Sequence, residues 1–330
     1  MASYVVKGQD FPVLDHGYIK IIDWMGTDET IIEAARMSTG KGFQSWEPHE
    51  KCRTCGLIIG KDGKKIYTPF DGCDSAAHNA HHIMEKQSGD MNLLDYLWRN
   101  GHTTPFEMNE LHIEVNAPVL VWRQWMRHRT QSYNEASARY APMSSDHYMP
   151  NVDRFRPKQS ANKQEASVSW HNPGSEDWDN LQEILKGEQD LVYEQYEEML
   201  SIGVPAETAR LNSPVSRYSK ARVKTDLKNW LGFLQLRMHP HAQYEIRMYA
   251  NIIGREIIAK IWPRVWQVFE EHTLYGTHFS RVEMGALQEI LKEARVTDSV
   301  TKTFGEDAGL TRKQIDEFTK KVFAGGQEIL

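Results

Sequence analysis

Residues 111–115, Leu-His-Ile-Glu-Val, alternate apolar and polar side chains without a break, and a fixed run of signals follows them. The alternation predicts a strand with one face buried, because successive strand side chains point to opposite faces. Pro118 then stands where a first helical turn tolerates it, and apolar Val119 to Trp125 predicts a helix running to about His128. The chain now turns abruptly polar. Arg127-His-Arg-Thr-Gln-Ser-Tyr-Asn-Glu-Ala-Ser-Ala-Arg-Tyr140 holds three arginines, a histidine and a glutamate. Its charges keep no consistent helical spacing, so a solvated helix face describes it poorly. A bound polyanion suits it better. Arginine forks grip phosphate bidentately, and backbone N–H groups flanked by Ser137 and Ala138 can complete an anion nest. The plainer alternative is a surface loop whose charges pair with one another.

Elements on either side follow from periodicity. Ile19, Ile21 and Ile22 predict a strand, and Thr27 or Asp28 opens a helix that carries Ile31, Ile32, Ala35 and Met37. Met91 to Trp98 is helical and closes at Asn100-Gly101. Residues 151–179 are polar with little periodicity and predict a surface loop. Leu181 to Ile202 is an amphipathic helix ended by Gly203-Val-Pro205, with a short helix near Ala206 to Leu211 and an extended stretch from Val215 to Lys224 beyond it. Thr225 or Asp226 can cap a helix to Arg237, and the next places Ala242, Ile246, Tyr249, Ala250 and Ile253 on one face as a core stripe. Two further helical stretches are Met284 to Arg295 and Arg312 to Val322.

Charge and composition exclude several classes. With 39 Lys+Arg against 45 Asp+Glu the net charge is −6, which excludes a generally basic nucleic-acid binder. RNA binding stays as an alternative only through local basic segments, the second being Arg210, Arg217, Lys220, Arg222, Lys224, Lys228 and Arg237. A nucleotide substrate with a dinucleotide-like cofactor uses the same residues without a long basic surface. No apolar stretch approaches the roughly 18 residues of a membrane helix. Three cysteines make no disulfide framework, and Met1 to Asp10 lacks a basic-then-apolar leader, so a cytoplasmic setting is expected. Neither GxGxxG, GxxxxGK[ST] nor GxSxG occurs.

Arg127-His128-Arg129, Ser132, Asn134-Glu135, Ser137 and Arg139-Tyr140 match the RHRxxSxNExSxRY signature, and on them the chain resembles the flavin-dependent thymidylate synthases. Further matching segments are Gly101-His-Thr-Thr-Pro-Phe-Glu107, Arg123-Gln-Trp125, Glu207 to Arg210 with Pro214 and Tyr218, Phe233-Leu-Gln-Leu-Arg237 and His241-Ala-Gln-Tyr-Glu-Ile246. They run in family order from about Gly17 to Pro263 and leave the tail outside. The resemblance implies an α/β (α+β) fold, an antiparallel sheet with packed helices, and a homotetramer with sites shared between subunits. It implies reductive methylation of dUMP to dTMP, with methylenetetrahydrofolate as carbon donor, FAD as hydride carrier and NADPH as reductant. A related C5 transfer on a pyrimidine nucleotide, dCMP methylation or hydroxymethylation, is the alternative chemistry, and a non-catalytic homologue the alternative class.

By the same resemblance Gln124, Arg127, Glu135, Ala136, Ser137, Ala138, Arg139, Arg210 and Arg237 are expected to contact dUMP. Ser38, His102, Thr104, Arg127, His128, Arg129, Glu135 and His241 are expected near the flavin, with His102 approaching flavin or folate. Asp226, Lys228 and Gly232 occupy flavin-side positions where many relatives carry Asn, Arg and His or Asn. Arg237 is the expected catalytic residue, since a guanidinium beside the uracil can stabilise charge on N3 and O2 as C5 becomes electron-rich. Ser137 ranks as a binding residue, because no adjacent base is evident in the sequence.

Between Lys41 and about Gly89 the composition shifts to Gly, Lys and Asp and collects all three cysteines. Cys52-Arg-Thr-Cys55 has knuckle spacing, Asp62-Gly63 predicts a hairpin turn, and Cys73 with His78, His81 or His82 would complete a Cys₃His zinc site. The alternative is three free thiols in a polar insert. The expected organisation is therefore a catalytic domain at 1–40 and 90–283, a zinc-knuckle-like insert at 41–89, with Cys52, Cys55, Cys73 and His78 as ligands, and a helical extension at 284–330.

Overall fold

A computed structural model describes residues 5–52, 57–62, 64–67, 84–151, 154 and 175–323. Strands β1 (Asp10–Val13), β2 (Gly17–Met25), β7 (Glu110–Pro118), β8 (Ser132–Glu135) and β9 (Tyr218–Asp226) form an antiparallel sheet in the order β1-β2-β7-β9-β8. The alternation of β7 fixes its orientation. Leu111, Ile113 and Val115 are fully buried, and Ile113 pairs with Ile21 on one side and Val223 on the other. The opposite face carries charge in register, with Glu114 opposite both Lys20 and Arg222, and Nε of Arg222 2.8 Å from Glu114. Opposite charges directly across a ladder reinforce the pairing.

Helices α1 (Asp28–Ala35), α2 (Asp90–Arg99), α3 (Val119–Trp125) and α6 (Leu227–Arg237) contribute Ile31, Ile32, Leu94, Trp122, Trp125, Trp230 and Phe233 to the same core as the buried sheet residues. Pro118 ends β7 and serves as N-cap of α3, which stops at Trp125, shorter than the apolar run predicts. The Tyr133 hydroxyl lies within hydrogen-bond reach of the carbonyls of His128 (2.9 Å) and Trp125 (3.1 Å), holding the turn that follows α3. Asp226 caps α6, with Oδ1 accepting from the Asn229 backbone at 2.9 Å. Indole N–H groups tie helix to strand: Trp122 donates to the Ser219 carbonyl and Trp230 to that of Leu111.

The insert supplies a second antiparallel sheet from β3 (His49–Cys52), β4 (Ile58–Gly60), β5 (Lys65–Tyr67) and β6 (Met84–Gln87), ordered β5-β4-β3-β6. The expected hairpin is there, β4 pairing with β5 around Asp62, which accepts from the Lys64 backbone at 3.0 Å. Cys52 is buried at the end of β3. Cys55, Cys73 and His78 lie outside the described residues, as do Gly63, His81 and His82. Among the described residues no group of three His, Cys, Asp or Glu is placed to hold a metal ion.

Helix α4 (Ser175–Ser201) begins inside the stretch predicted as loop, because polarity alone marks a loop only where breakers interrupt it, and none follows Gly174 until Gly187. A turn of helix, α5 (Ala206–Ala209), comes next, and α7 (Tyr244–Asn251), α8 (Ala259–Ile261) and α9 (Pro263–Phe269) close the first compact unit, Met1–Leu274. Ile246, Tyr249, Ala250 and Ile253 are fully buried, as their stripe predicts. The second unit, Tyr275–Leu330, holds α10 (Arg281–Glu293), α11 (Asp298–Asp307) and α12 (Arg312–Phe323). Sequence reading missed α11, whose few apolar positions, Val300 and Phe304 among them, show too little periodicity. No helix among the described residues is long and apolar enough to cross a membrane.

Candidate active site

The polar run leaves α3 as a tight turn and becomes β8, so its residues fall into two groups at the strand's ends, which a four-residue strand holds about 13 Å apart. At the first end stands Arg237, the last residue of α6. Its Nε donates to Nε2 of His128 at 3.0 Å, and its Nη2 donates to the Gln124 carbonyl at 3.0 Å. Burial, then the charge of Arg237, pushes His128 down to about 4, so near neutral pH the ring is uncharged and its Nε2 lone pair is available. Burial and neighbouring Arg127 lower Arg237 as well. Arg237 lines a cleft of about 480 Å³ with Gln235, Leu236, His239, His241 and Ala242.

At the second end Glu135 accepts from the Ser219 hydroxyl at 2.6 Å, and the Ala136 backbone donates to the Lys220 carbonyl at 2.8 Å. The chain then turns over Ser137–Tyr140, where Ser137 Oγ accepts from the Arg139 backbone at 3.3 Å. Ala138 is buried against Met143, Tyr196 and Ala209 in a small second core. That core explains why two arginines distant in sequence share this end: Arg139 follows Ala138 and Arg210 follows Ala209. Arg217 is here too. Its half-buried guanidinium donates to Ser213 Oγ at 2.7 Å, and it is attracted by Glu135 and repelled by Arg210.

Among the described residues no carboxylate lies within 4.0 Å of Arg127, Arg129, Arg139, Arg210, Arg217 or Arg237; Arg36, Arg99, Arg154, Arg222 and Arg255 pair with one, and Arg123, Arg247, Arg264, Arg281, Arg295 and Arg312 do not. A salt-bridged surface loop would have neutralised its own arginines. Those of the polar run, Arg127, Arg129 and Arg139, keep guanidinium donors that an anion could use.

The remaining expected residues are scattered around the first end. Lys228 lies 3.7 Å from Glu107, next to the helical turn Thr104–Met108, and so shares a surface with Thr104. His241 lines the Arg237 cleft. A Cβ built on Gly232 meets nothing within 4 Å, so the space a larger residue would fill is open. Asp226 spends both oxygens on Asn229, the second on Nδ2 at 2.6 Å. His102 is exposed and packs edge-on against Tyr96, and Ser38 is exposed and is not among the residues lining the cleft. Gln243, Glu245, Tyr148 and Arg154 were given no individual role from the sequence, and Arg217 was read only as a member of the second basic segment. Gln243 and Glu245 belong to the signature segment, whereas Tyr148 and Arg154 carried no signal of their own.

Residues 20–264 match the family described as thymidylate synthase complementing protein. Flavin-dependent thymidylate synthases are similar over nearly the whole chain: that of Ehrlichia ruminantium (strain Gardel) is 32% identical over 93% of this chain and 86% of its own. The chain belongs to this family. A Thermus thermophilus enzyme is 34% identical over 96% of this chain and 97% of its own, so relatives of this length include more than the signature-bearing body. Among solved structures, the UMP/dUMP methylase PolB from Streptomyces cacaoi bound with 5-Br dUMP is similar at 25% identity and a TM-score of 0.58, over 79% of this chain and 97% of that one.

Proposed function

We propose that this chain is a flavin-dependent thymidylate synthase, converting dUMP, methylenetetrahydrofolate, NADPH and a proton to dTMP, tetrahydrofolate and NADP⁺. The observation that carries the reading is the gathering of Arg127, Arg129, Arg139, Arg210, Arg217 and Arg237 at the two ends of β8 with no carboxylate partner among the described residues, Arg237 standing on the wall of a cleft. Arg139 and Arg210, with Ser137, bind the phosphate, where permanent charge is required. Arg237 faces the uracil, and its fork stabilises negative charge on N3 and O2 as C5 attacks the methylene carbon. Gln124, Arg127, Glu135, Ala136 and Ala138 complete the nucleotide site.

The residues present fit a flavin dinucleotide. Arg127, Arg129 and Lys228 match a diphosphate, His128 and His241 offer ring surface, and Thr104 and Ser38 offer hydroxyls. Asp226 does not set a bare charge against the diphosphate, because the N-terminus of α6 and Asn229 already satisfy it. Bound FAD supplies hydride transfer to the methylene carried by the nucleotide. His102 is assigned to the approach of flavin or folate.

For the assembly we retain a homotetramer with sites shared between subunits, which rests on the family resemblance. For the insert we retain a structural zinc on Cys52, Cys55, Cys73 and His78, which predicts about one zinc per chain by elemental analysis, lost in Cys52→Ser/Cys55→Ser. The domain organisation retained is a catalytic body at 1–40 and 90–283, the insert at 41–89 and the helical extension at 284–330.

An anaerobic assay with dUMP and dCMP in parallel, supplying FAD, NADPH and methylenetetrahydrofolate, tests the reading. A yellow protein that forms dTMP is expected. Formation of 5-methyl-dCMP without dTMP, or salt-sensitive RNA binding without turnover, overturns it.

A further inference from the structure

The side chain of Gln124 is wired to a buried charge. Its Nε2 donates to Oε1 of Gln243, and Gln243 Nε2 donates to Oε2 of Glu245 at 2.7 Å. Glu245 is 3% exposed, and Arg154 grips it with Nε 2.8 Å from Oε1 and Nη2 3.4 Å from Oε2. Tyr148 donates its hydroxyl to Oε1 at 3.2 Å.

A carboxylate in a guanidinium fork is ionised and can only accept. Every later link then has one orientation. Gln243 must turn its NH₂ toward Glu245, which points its carbonyl oxygen at Gln124. Gln124 must answer with its own NH₂, and its Oε1 is left on the other edge of the amide. The shape of an amide does not reveal which end is oxygen, but here the charge at the far end dictates it. Gln124 is partly exposed, and its Oε1 has no hydrogen-bond partner among the described residues. The same residue accepts from Arg237 through its main-chain carbonyl, and its side-chain partner Gln243 follows Ala242, so Gln124 neighbours two residues that line the cleft.

We infer that Glu245 is a specificity-determining positioning residue, which through Gln243 presents Gln124 to the nucleotide as a fixed hydrogen-bond acceptor. The inference rests on the reading that the Arg237 cleft takes dUMP. Two groups of dUMP are donors of the required kind, the uracil N3–H and the 3′-hydroxyl. A cytosine ring offers an acceptor at N3, so a contact to the base would favour uracil over cytosine.

The test measures binding of dUMP, dCMP and 2′,3′-dideoxyuridine 5′-monophosphate to the flavin-loaded full chain. Wild type, Glu245→Gln, Gln243→Met and Gln124→Ala are compared. Wild type should bind one of the two analogues about tenfold more weakly than dUMP, the size of one hydrogen bond. Loss with dCMP assigns the donor to the base, and loss with the dideoxynucleotide assigns it to the sugar. In all three variants that ratio should fall toward one. Gln243→Met leaves the Arg154–Glu245 pair intact, so it reads the relay even if Glu245→Gln folds poorly. Ratios that stay unchanged while all affinities drop together mark a structural role and overturn the relay alone, as does a wild type that discriminates neither analogue. A wild type that binds none of the nucleotides overturns the nucleotide reading itself, and the relay with it.

Discussion

Nε of Arg237 and Nε2 of His128 meet at 3.0 Å, and the proton between them belongs to the arginine. A guanidinium is always protonated, so the contact exists only while the imidazole is neutral. Burial and that same cation hold the ring's pKa at about 4 instead of 6.5. The contact and the titration are therefore one property, and it can be read from stability.

Between pH 6.5 and 4 the unfolded chain binds a proton at His128 that the folded chain refuses, so this contribution is complete above pH 6.5 and is lost as pH falls through the folded value. His128→Gln keeps an acceptor for Arg237 and removes the titration. Thermal unfolding from pH 4 to 8 should show a shallower acid limb in the variant. Identical limbs would mean that His128 does not titrate across folding.

Asp28 works with the opposite sign. It accepts from the backbone N–H groups of Arg264 (3.0 Å) and Val265 (3.1 Å), tying α1 to α9 across the chain. Burial pushes its carboxyl up to about 6 from 3.8, and the two N–H bonds offset only part of that. The folded state now holds the extra proton, so this contribution is greatest below pH 3.8 and is lost as pH rises through about 6. Asp28→Asn abolishes the titration and should gain on wild type by up to about 3 kcal/mol between pH 4 and pH 7. Urea unfolding at the two pH values measures the difference, and a constant offset would refute it.

Sheet and arginines were legible for different reasons. Strand β7 could be read because one buried face imposes a period of two, and α6 because an acidic cap stands directly before its apolar positions. The arginine run could be read because its charges suit no regular element. The relay could not. Glu245 is 91 residues from Arg154 and 97 from Tyr148, and only the fold joins them. The end of α3 was overrun because the helix stops with the apolar run at Trp125, and the polar residues to His128 form the turn that Tyr133 holds.

Gly17 and Gly232 separate close packing from open space. A Cβ on Gly17 would stand 2.0 Å from the Tyr249 hydroxyl, 2.5 Å from the Val13 carbonyl oxygen and 2.9 Å from that of Asn116. Two of these are backbone atoms of paired strands, and Tyr249 is itself bonded to Asn116 at 2.8 Å, so little can yield. Gly17→Ala should cost about 3 kcal/mol by overpacking. Gly232→Ala, at an exposed position of the otherwise core-packed helix α6, should instead gain about 1 kcal/mol from helix propensity. Denaturation midpoints decide both, and similar shifts of the same sign would contradict the geometry.

Arg210 and Arg237 should fail differently when weakened. Arg210 belongs to the end of β8 assigned to the phosphate, which is charged equally in substrate and transition state, so its loss removes uniform binding. Arg210→Ala should raise KM for dUMP at nearly unchanged kcat. Arg237 faces charge that develops only during reaction, and its planar fork is held from two sides by His128 and Gln124. Arg237→Lys keeps the charge but has neither the fork nor the Nε that His128 accepts. Its kcat should fall about 100-fold, as for removal of an oxyanion donor, with KM little changed. Steady-state kinetics on the two variants checks the assignment: a KM effect at Arg237, or a kcat effect at Arg210, would exchange their roles.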